Sequence, residues 1–242
     1  MELLPGERLD DLQYKGLRLL QRPDAYCFTS DAVLLANLVK AGARDKVADL
    51  GAGGGIISVL IAAKRGADIT AVEFQPWAAQ LCRRNALLNG LQEKISVFQG
   101  DIKGCAAALG AGAFNAVVSN PPYFKAGSGE VREEESVALS RHESTATLAD
   151  ICAEAAALLK NGGAFYMVHK VERMAEALTA LSLHGLQPKA VTLILPKPGK
   201  GADTFVVRAV KGGRAGMKLD MLTVYEKNGE MTKEAARLYG KA

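Results

Sequence analysis

The chain has 242 residues, of which 49% are hydrophobic and 23% are charged, and its formal net charge is +4. This length and balance are typical of a globular protein with a full apolar core, and they exclude a disordered or fibrous chain. The mild positive charge permits a polyanionic partner without requiring one.

The first 22 residues are polar and mixed, with one short strand predicted over Gly16–Gln21. A helix follows, because Thr29 or Ser30 can cap a segment whose apolar side includes Val33 and Leu34. Judged by itself, this helix fits a structural cover at least as well as a ligand-binding segment.

From Lys46 onward, strand and helix patterns alternate, as a doubly wound parallel sheet requires. The predicted strands are Val47–Leu50, Ile69–Glu73, Ile95–Phe98, Phe114–Ser119, Ala164–Val168, Ala190–Leu195 and Thr204–Val210. The predicted helices are Ile56–Lys64, Trp77–Asn89, an alanine-rich segment after Asp101, Leu148–Leu159 and Val171–Leu183. We predict one α/β domain over residues 1–242, with a mostly parallel seven-stranded sheet whose last two strands form an antiparallel hairpin at the edge.

One segment interrupts this alternation. Residues 124–146 are polar, contain glycine and include a run of glutamates at 133 to 135. A loop of this length inside a compact domain is usually functional or disordered. We therefore predict a mobile loop that covers the substrate.

The four cysteines are Cys27, Cys82, Cys105 and Cys152. They are scattered, without a CxxC pair or a nearby histidine cluster, so we predict reduced core residues and no metal site or disulfide framework. The amino-terminal residues are too charged for a signal peptide, and no apolar run approaches the length of a membrane span. We expect a cytoplasmic protein that makes no membrane contact.

The segment Asn120-Pro121-Pro122-Tyr123 follows the predicted buried strand Phe114–Ser119. Two consecutive prolines cannot continue a strand or a helix, so the chain leaves the sheet in a stiff, extended turn. Ligands bind at the carboxyl ends of strands in open α/β sheets. Asn120 Oδ1 and the Pro121 carbonyl can accept both hydrogens of a planar amine, and Tyr123 can stack on its ring. This set suits methylation of an amino group, with catalysis by positioning.

A glycine-rich segment, Asp49 to Gly55, lies between the first predicted strand of the sheet and a helix. Glycines at Gly51 and Gly53 let the backbone turn sharply and approach a ligand. The dinucleotide fingerprint fails here, because its third glycine falls on Ile56. Asp49 is suited to face a cationic amino group, which favours S-adenosylmethionine over NAD.

Two further acids follow the next two strands. Glu73 ends the second strand, where its carboxylate can accept hydrogen bonds from both hydroxyls of a ribose. Asp101 follows the third strand and is placed to accept from the exocyclic amine of an adenine. Each acid taken singly fits a solvated carboxylate, but three on successive strands ahead of Asn120 indicate one site.

These motifs resemble those of the class I S-adenosylmethionine-dependent methyltransferases of the N6-adenine branch. The shared segments are DLGAGGG (49–55), AVE (71–73), QGD (99–101) and NPPY (120–123). More narrowly, the chain resembles the bacterial tRNA1(Val) adenine-37-N6 methyltransferases through ERLDDLQ (7–13), FTSDAVLLA (28–36), NPPYF (120–124), SRHE (140–143) and LTVYEKNGEMTKEAARLYG (222–240). One departure is Ser30, where the family pattern has glycine.

The resemblance implies that S-adenosylmethionine is held by a set of residues at the strand ends and at the start of the first helix. That set is Phe28, Ser30, Asp31, Asp49, Gly51, Gly53, Glu73, Asp101 and Asn120. Residues 1–44 would then form an extension that covers the cofactor pocket. The implied acceptor is a flipped-out tRNA adenine, stacked on Tyr123 and Phe124, with its N6 held by Asn120 and Pro121.

Basic residues indicate where RNA would bind. Lys197 and Lys200 lie in a glycine-rich turn of a basic carboxy-terminal region, and Arg141 and His142 lie at the far end of the insert. Such residues suit phosphate contacts, although charge runs are often only solvated surface. We expect a tRNA partner and a monomer or weak homodimer.

Three alternatives remain open from the residues alone. An enzyme that methylates a glutamine side chain in a protein presents the same amide geometry to the turn at Asn120. A guanine-N2 rRNA methyltransferase is the second alternative. The third is a non-catalytic RNA-binding protein on the same scaffold, which the intact acids and the NPPY segment disfavour.

Overall fold

The computed structural model describes residues 2–24, 27–121 and 146–239. The strands are β1 (Arg8–Asp11), β2 (Arg18–Gln21), β3 (Lys46–Leu50), β4 (Asp68–Glu73), β5 (Ile95–Gln99), β6 (Phe114–Ser119), β7 (Leu159–Lys170), β8 (Leu186–Leu195), β9 (Thr204–Lys211) and β10 (Lys218–Thr223). The helices are α1 (Ser30–Leu38), α2 (Ile56–Arg65), α3 (Pro76–Leu88), α4 (Cys105–Leu109), α5 (Leu148–Leu158), α6 (Met174–Leu183) and α7 (Lys233–Tyr239). A short 3-10 turn, Val171–Arg173, precedes α6.

Eight strands form the central sheet in the order β10-β8-β9-β7-β6-β3-β4-β5. The strands from β7 to β5 are parallel, β9 is antiparallel to both β7 and β8, and β10 is parallel to β8. The doubly wound, mostly parallel fold with an antiparallel pair is therefore confirmed. All strands except β9 end at one edge of the sheet, which we call the carboxyl edge. It is marked by Leu50, Glu73, Gln99, Ser119, Lys170, Leu195 and Thr223.

The sheet is apolar on both faces because helices cover both faces. Val47 and Val118 belong to a core cluster that includes residues of α1 and α2. Leu50 and Val117 face the other way, into a cluster that includes residues of α5 and α6. Short apolar runs in the sequence therefore became central strands.

Two details of the sheet differ from the sequence prediction. Strand β10 is an additional strand that the pattern did not reveal, because Leu219 and Met221 are 57% and 65% exposed and only Leu222 is buried. Strand β7 begins at Leu159, directly after α5, and includes the glycines predicted to stop a helix. A Cβ on Gly163 would lie 3.1 Å from the Asn115 carbonyl oxygen, so the glycine permits this close pairing with β6.

Regions from the two ends of the sequence meet at the start of α1. The prediction of a short strand is confirmed by β2, which pairs with β1 in an antiparallel hairpin. Thr29 is the N-cap residue of α1, but its side chain makes no capping hydrogen bond. Tyr239 of α7 lies beside the Ser30 side chain; burial raises the pKa of the Tyr239 phenol to about 12, and Ser30 opposes this rise.

Several predicted features lie outside the described residues. These are Tyr123, Phe124, Arg141, His142 and the predicted mobile loop up to residue 145. Within the ranges given above, no helix has both the length and the apolar character that a membrane crossing needs.

Candidate active site

Asp49 lies near the end of β3 and is fully buried. Its Oδ2 accepts a hydrogen bond of 2.7 Å from the Ser58 hydroxyl of α2. Its Oδ1 has no hydrogen-bond partner among the described residues. Burial raises the pKa of Asp49 to about 7; the Ser58 hydrogen bonds oppose this rise, and the charge of Glu73 adds to it. The site thus contains a buried carboxylate oxygen that a cationic donor would satisfy.

Glu73 fixes the backbone around it. Its Oε2 accepts the Gly53 N–H at 2.8 Å, and its Oε1 accepts the Gln75 N–H at 2.8 Å. The carboxylate therefore ties the glycine-rich segment to the end of β4. Each carboxylate oxygen has a second lone pair, so the predicted contact with ribose hydroxyls stays a prediction.

The segment Gly51–Gly55, which we call the glycine loop, turns tightly over the end of β4. Its backbone has positive φ at Gly51 (75°), Gly53 (54°) and Gly55 (83°). The N–H of Gly51 donates to the Val72 carbonyl at 2.9 Å. A Cβ on Gly55 would lie 2.4 Å from the Cys82 sulfur, so no side chain fits there. These glycines are a requirement of the turn and of its close packing.

Asn85 of α3 joins the glycine loop to the amino-terminal hairpin. Its Nδ2 donates to the Gly54 carbonyl at 2.8 Å and to the Leu20 carbonyl at 3.0 Å. Its Oδ1 accepts the Leu20 N–H at 2.7 Å. One fully buried amide therefore serves as a hydrogen-bonding partner for β2 and for the glycine loop at once.

Asn120 and Pro121 follow the last residue of β6, beside the start of the glycine loop. The Ser119 hydroxyl donates to the Leu50 carbonyl at 2.9 Å, which fixes the end of β6 against the end of β3. Asn120 is half-buried and Pro121 is buried. The pairing of β6 with β3 thus places the predicted acceptor turn next to Gly51.

Asp101 follows β5, the outermost strand of the four neighbours β6, β3, β4 and β5. The Gly100 N–H donates to the Glu73 carbonyl at 3.0 Å, and Asp101 Oδ1 accepts the Lys103 N–H at 3.0 Å. The ends of β6, β3, β4 and β5 therefore bring together one set of predicted residues. That set is Asn120, Asp49, Gly51, Gly53, Glu73 and Asp101.

Phe28, Ser30 and Asp31 lie elsewhere, at the start of α1. They line a cleft of about 560 Å³ whose lining includes none of the six residues in that set. The Phe28 N–H donates to Gln21 Oε1 at 2.8 Å. Ser30, where the resemblance predicted glycine, lies beside Tyr239 in this cleft. Their role toward the cofactor stays a prediction.

Lys197 and Lys200 lie in the turn between β8 and β9, and both are exposed. The Lys200 N–H donates to the Lys197 carbonyl at 3.2 Å, which closes the turn. Because β8 ends at the carboxyl edge, this turn lies on the same edge as Asn120, three strands away.

These groups fit the chemistry of S-adenosylmethionine. The unpartnered Oδ1 of Asp49 suits its ammonium group, and the glycine loop offers backbone without side chains. Asp101 remains available to an adenine amine through its half-exposed carboxylate. The described part of the chain contains no group of three or more acidic, histidine or cysteine side chains that could hold a metal.

Sequence reasoning missed Ser58 and Asn85. Ser58 is the only polar residue in the apolar run IISVLIAA, which is a signal of a buried hydrogen bond. Asn85 follows the buried residues Leu81 and Cys82 at helical spacing, which predicts an inward-facing amide. Both patterns predict a buried polar side chain, but neither predicts which residue it hydrogen-bonds.

Comparisons with known proteins agree with this geometry. A model of the methyltransferase small domain matches residues 28–187. A tRNA1(Val) (adenine(37)-N6)-methyltransferase from Shewanella amazonensis is 29% identical over 210 residues, which are 87% of this chain and 88% of that protein. A Methanocaldococcus jannaschii protein provisionally named a protein N5-glutamine methyltransferase is 33% identical over 47% of this chain and 54% of its own. The crystal structure of a predicted O-methyltransferase from Agrobacterium tumefaciens superposes with a TM-score of 0.71 at 28% identity, over 88% of this chain and 97% of that one.

Proposed function

The chain belongs to the methyltransferase small domain family and uses S-adenosylmethionine as its methyl donor, and we propose that it methylates the exocyclic N6 of an adenine in tRNA. In its most specific form, the proposal names A37 of tRNA1(Val). The observation that carries it is the position of Asn120 and Pro121, at the end of β6 and beside the glycine loop.

The donor is held by residues at the ends of β3, β4 and β5. Asp49 Oδ1 accepts from the ammonium group, and the glycine loop contacts the ligand through its backbone. Glu73 and Asp101 accept from the ribose and the adenine. When bound, the donor supplies an electrophilic methyl group on a sulfonium. The protein needs no metal for this transfer, because the leaving group is already a stable neutral thioether.

Asn120 and Pro121 act on the acceptor. Asn120 Oδ1 and the Pro121 carbonyl accept the two hydrogens of the adenine amine, which fixes the nitrogen and localises its lone pair. Tyr123 and Phe124 stack on the base. A strong general base is not required, because the amine proton becomes acidic once the nitrogen is alkylated. Catalysis is then positioning together with electrostatic stabilisation.

The choice of tRNA rests on similarity and on charge. The Shewanella relative that covers most of this chain is named for A37 of tRNA1(Val). Lys197 and Lys200 lie on the edge of the sheet that carries Asn120, where they can contact phosphates. Arg141 and His142 stay predicted phosphate contacts. Extrusion of a base costs least where the base is already unpaired, as in an anticodon loop.

A second candidate is methylation of a glutamine side chain in a protein. The Methanocaldococcus relative favours it over about half of this chain, and a glutamine amide offers the same two hydrogens to Asn120 and Pro121. That relative matches a shorter part of this chain than the Shewanella enzyme does. We therefore favour tRNA as the substrate.

One experiment distinguishes these substrates. The protein is incubated with S-adenosylmethionine carrying a radiolabelled methyl group, together with unmodified tRNA, rRNA and a release factor in separate reactions. N6-methyladenosine in digested tRNA would support the proposal. Label in the release factor, with none in RNA, would replace it with the glutamine reaction. Asn120→Ala serves as the inactive control.

A further inference from the structure

The cleft of about 560 Å³ at the start of α1 is large enough for a nucleotide-sized ligand. Its walls come from the loop between β1 and β2, from α1 and α2, and from the region after β10. Apolar side chains of Val33, Leu60, Ile194 and Val224 line it. It reaches the carboxyl edge at Lys170, the last residue of β7.

Two features of the lining suit a nucleotide. Tyr225 is 39% exposed and offers an aromatic surface on which a base can stack. Asp31 and Asp203 provide carboxylates that can accept hydrogen bonds from a base or from ribose hydroxyls. An apolar lining with a few converging polar groups is the usual composition of a small-molecule site.

Lys64 provides a positive charge in the lining of the cleft. Its amine donates to Asn37 Oδ1 at 2.6 Å and lies 4.1 Å from the centre of the Tyr14 ring. No carboxylate forms an ion pair with it in the part of the chain that the structure describes. Burial and the charge of Arg65 lower the pKa of Lys64. Lys64 is therefore a partly buried cation that is held by two uncharged groups. Such a cation can form a charge-assisted hydrogen bond with a phosphate.

We propose that this cleft binds one nucleotide of the RNA substrate next to the methylated adenine, with the base against Tyr225 and the phosphate on Lys64. The inference rests on the proposed function, because it needs an RNA substrate. Strand β7 is the direct neighbour of β6, and adjacent strands are about 5 Å apart. Ser119 pairs with Met167, so Lys170 in the cleft wall lies on the strand beside Asn120 and near the same edge. A free nucleotide has the same chemistry and is the alternative occupant.

The test compares Lys64→Gln and Tyr225→Ala with the wild type in steady-state methylation of unmodified tRNA. Each variant is expected to raise the KM for tRNA about tenfold while the KM for S-adenosylmethionine changes less than twofold. The Lys64→Gln variant should also reduce the slope of log affinity against log salt by about 0.7 to 0.9, the value for one phosphate contact. Lys94→Gln is the matched control, because Lys94 pairs with Asp68 at the opposite edge of the sheet and should change neither KM.

The outcomes separate this inference from the proposed function. If the wild type methylates no RNA, both fail. If the wild type methylates tRNA but neither variant changes its KM, only the cleft assignment fails. Titration with AMP tests the alternative: AMP binding that Lys64→Gln abolishes, with the KM for tRNA unchanged, assigns the cleft to a free nucleotide and overturns the proposal. Lys64→Arg should restore the KM for tRNA, whereas a folding defect of Lys64→Gln would instead lower its melting temperature.

Discussion

The two halves of the carboxyl edge are built differently. At the ends of β3, β4 and β5, the carboxylates of Asp49, Glu73 and Asp101 all accept hydrogen bonds from the protein itself. At the ends of β8 and β10 and in the adjoining cleft, Lys64, Lys197 and Lys200 form no ion pair within the described ranges. The first half, which we call the donor half, holds its carboxylates in fixed positions. We propose that the second half, which we call the basic half, offers its positive charge to the phosphates of tRNA.

The largest expected effect lies at the junction of the halves. Asn120→Ala should lower kcat by about 100- to 1000-fold, because it removes an acceptor that positions the amine in the transition state. The dissociation constant for S-adenosylmethionine, measured by calorimetry, should change only several-fold. Asn115→Ala, in the strand β6 that precedes Asn120, is the matched control and should retain activity. If Asn120→Ala lowered the affinity for S-adenosylmethionine as much as it lowers kcat, the turn at Asn120 would support the donor site and not the acceptor amine.

The second effect concerns Asp49 and pH. Only its ionised form can satisfy an ammonium group, and its pKa is raised from 3.8 to about 7. The affinity for S-adenosylmethionine should therefore increase about tenfold between pH 6 and pH 8. Asp49→Asn should bind more weakly and lose this dependence in calorimetric titrations.

The same shift affects the free protein in the opposite direction. The folded state binds the Asp49 proton more tightly than the unfolded state, so this stabilisation is present below about pH 4 and is lost as the pH rises through 7. Melting temperatures of the ligand-free wild type should show this loss, and those of Asp49→Asn should not. An affinity for the donor that is flat with pH would mean that Asp49 does not meet its ammonium group.

A third prediction distinguishes the contact of Asn85 with the glycine loop from its contact with the β1-β2 hairpin. Asn85→Ala leaves buried backbone groups of Leu20 and Gly54 unpaired, which should lower the free energy of unfolding by about 1–3 kcal/mol. It should also raise the KM for S-adenosylmethionine several-fold with little change in kcat. Denaturant titrations and steady-state kinetics measure the two effects.

Asn89→Ala is the matched control for that variant. Asn89 bonds the backbone of Arg18 in the same hairpin through both its Oδ1 and its Nδ2, and Nδ2 also donates to the Asn85 carbonyl. Its side-chain hydrogen bonds within the described ranges do not include the glycine loop. It should reduce stability without changing the KM for the donor. If both variants raise that KM equally, docking of the hairpin sets donor affinity and the Gly54 contact does not.

The smallest effect is expected at the exposed turn of the basic half. Substituting Lys197 and Lys200 by glutamine should weaken tRNA binding by a few-fold and reduce its salt dependence, because in the proposed complex each lysine contacts a solvated phosphate. Binding assays over a series of salt concentrations measure both quantities. An unchanged salt slope would show that the turn does not touch RNA.

The sequence was more informative about the donor half than about the basic half. Apolar runs such as Phe114–Ser119 predicted central strands, since a strand covered on both faces must be apolar throughout. Strand β10 was not predicted, because most of its side chains are exposed and a period-2 pattern needs one buried face. The carboxylates after β3, β4 and β5 were placed correctly at one edge by topology alone.

Other properties of the site depend on contacts that no local pattern encodes. The family resemblance grouped Phe28, Ser30 and Asp31 with the other cofactor residues, and that role stays a prediction; the sequence did not reveal that they line a cleft that residues after β10 help to form. Likewise, Glu73 was predicted to face a ligand, yet both its oxygens also hold protein backbone. Long-range packing decides both cases.

The position of Tyr239 beside Ser30 has a consequence for biosynthesis. Proteins leave the ribosome from the amino terminus, so α1 emerges long before the residue that covers its first turn. The cleft therefore reaches its final form only after residue 239 has been made. A nascent chain halted before Lys233 should lack the part of the cleft wall that Tyr239 provides.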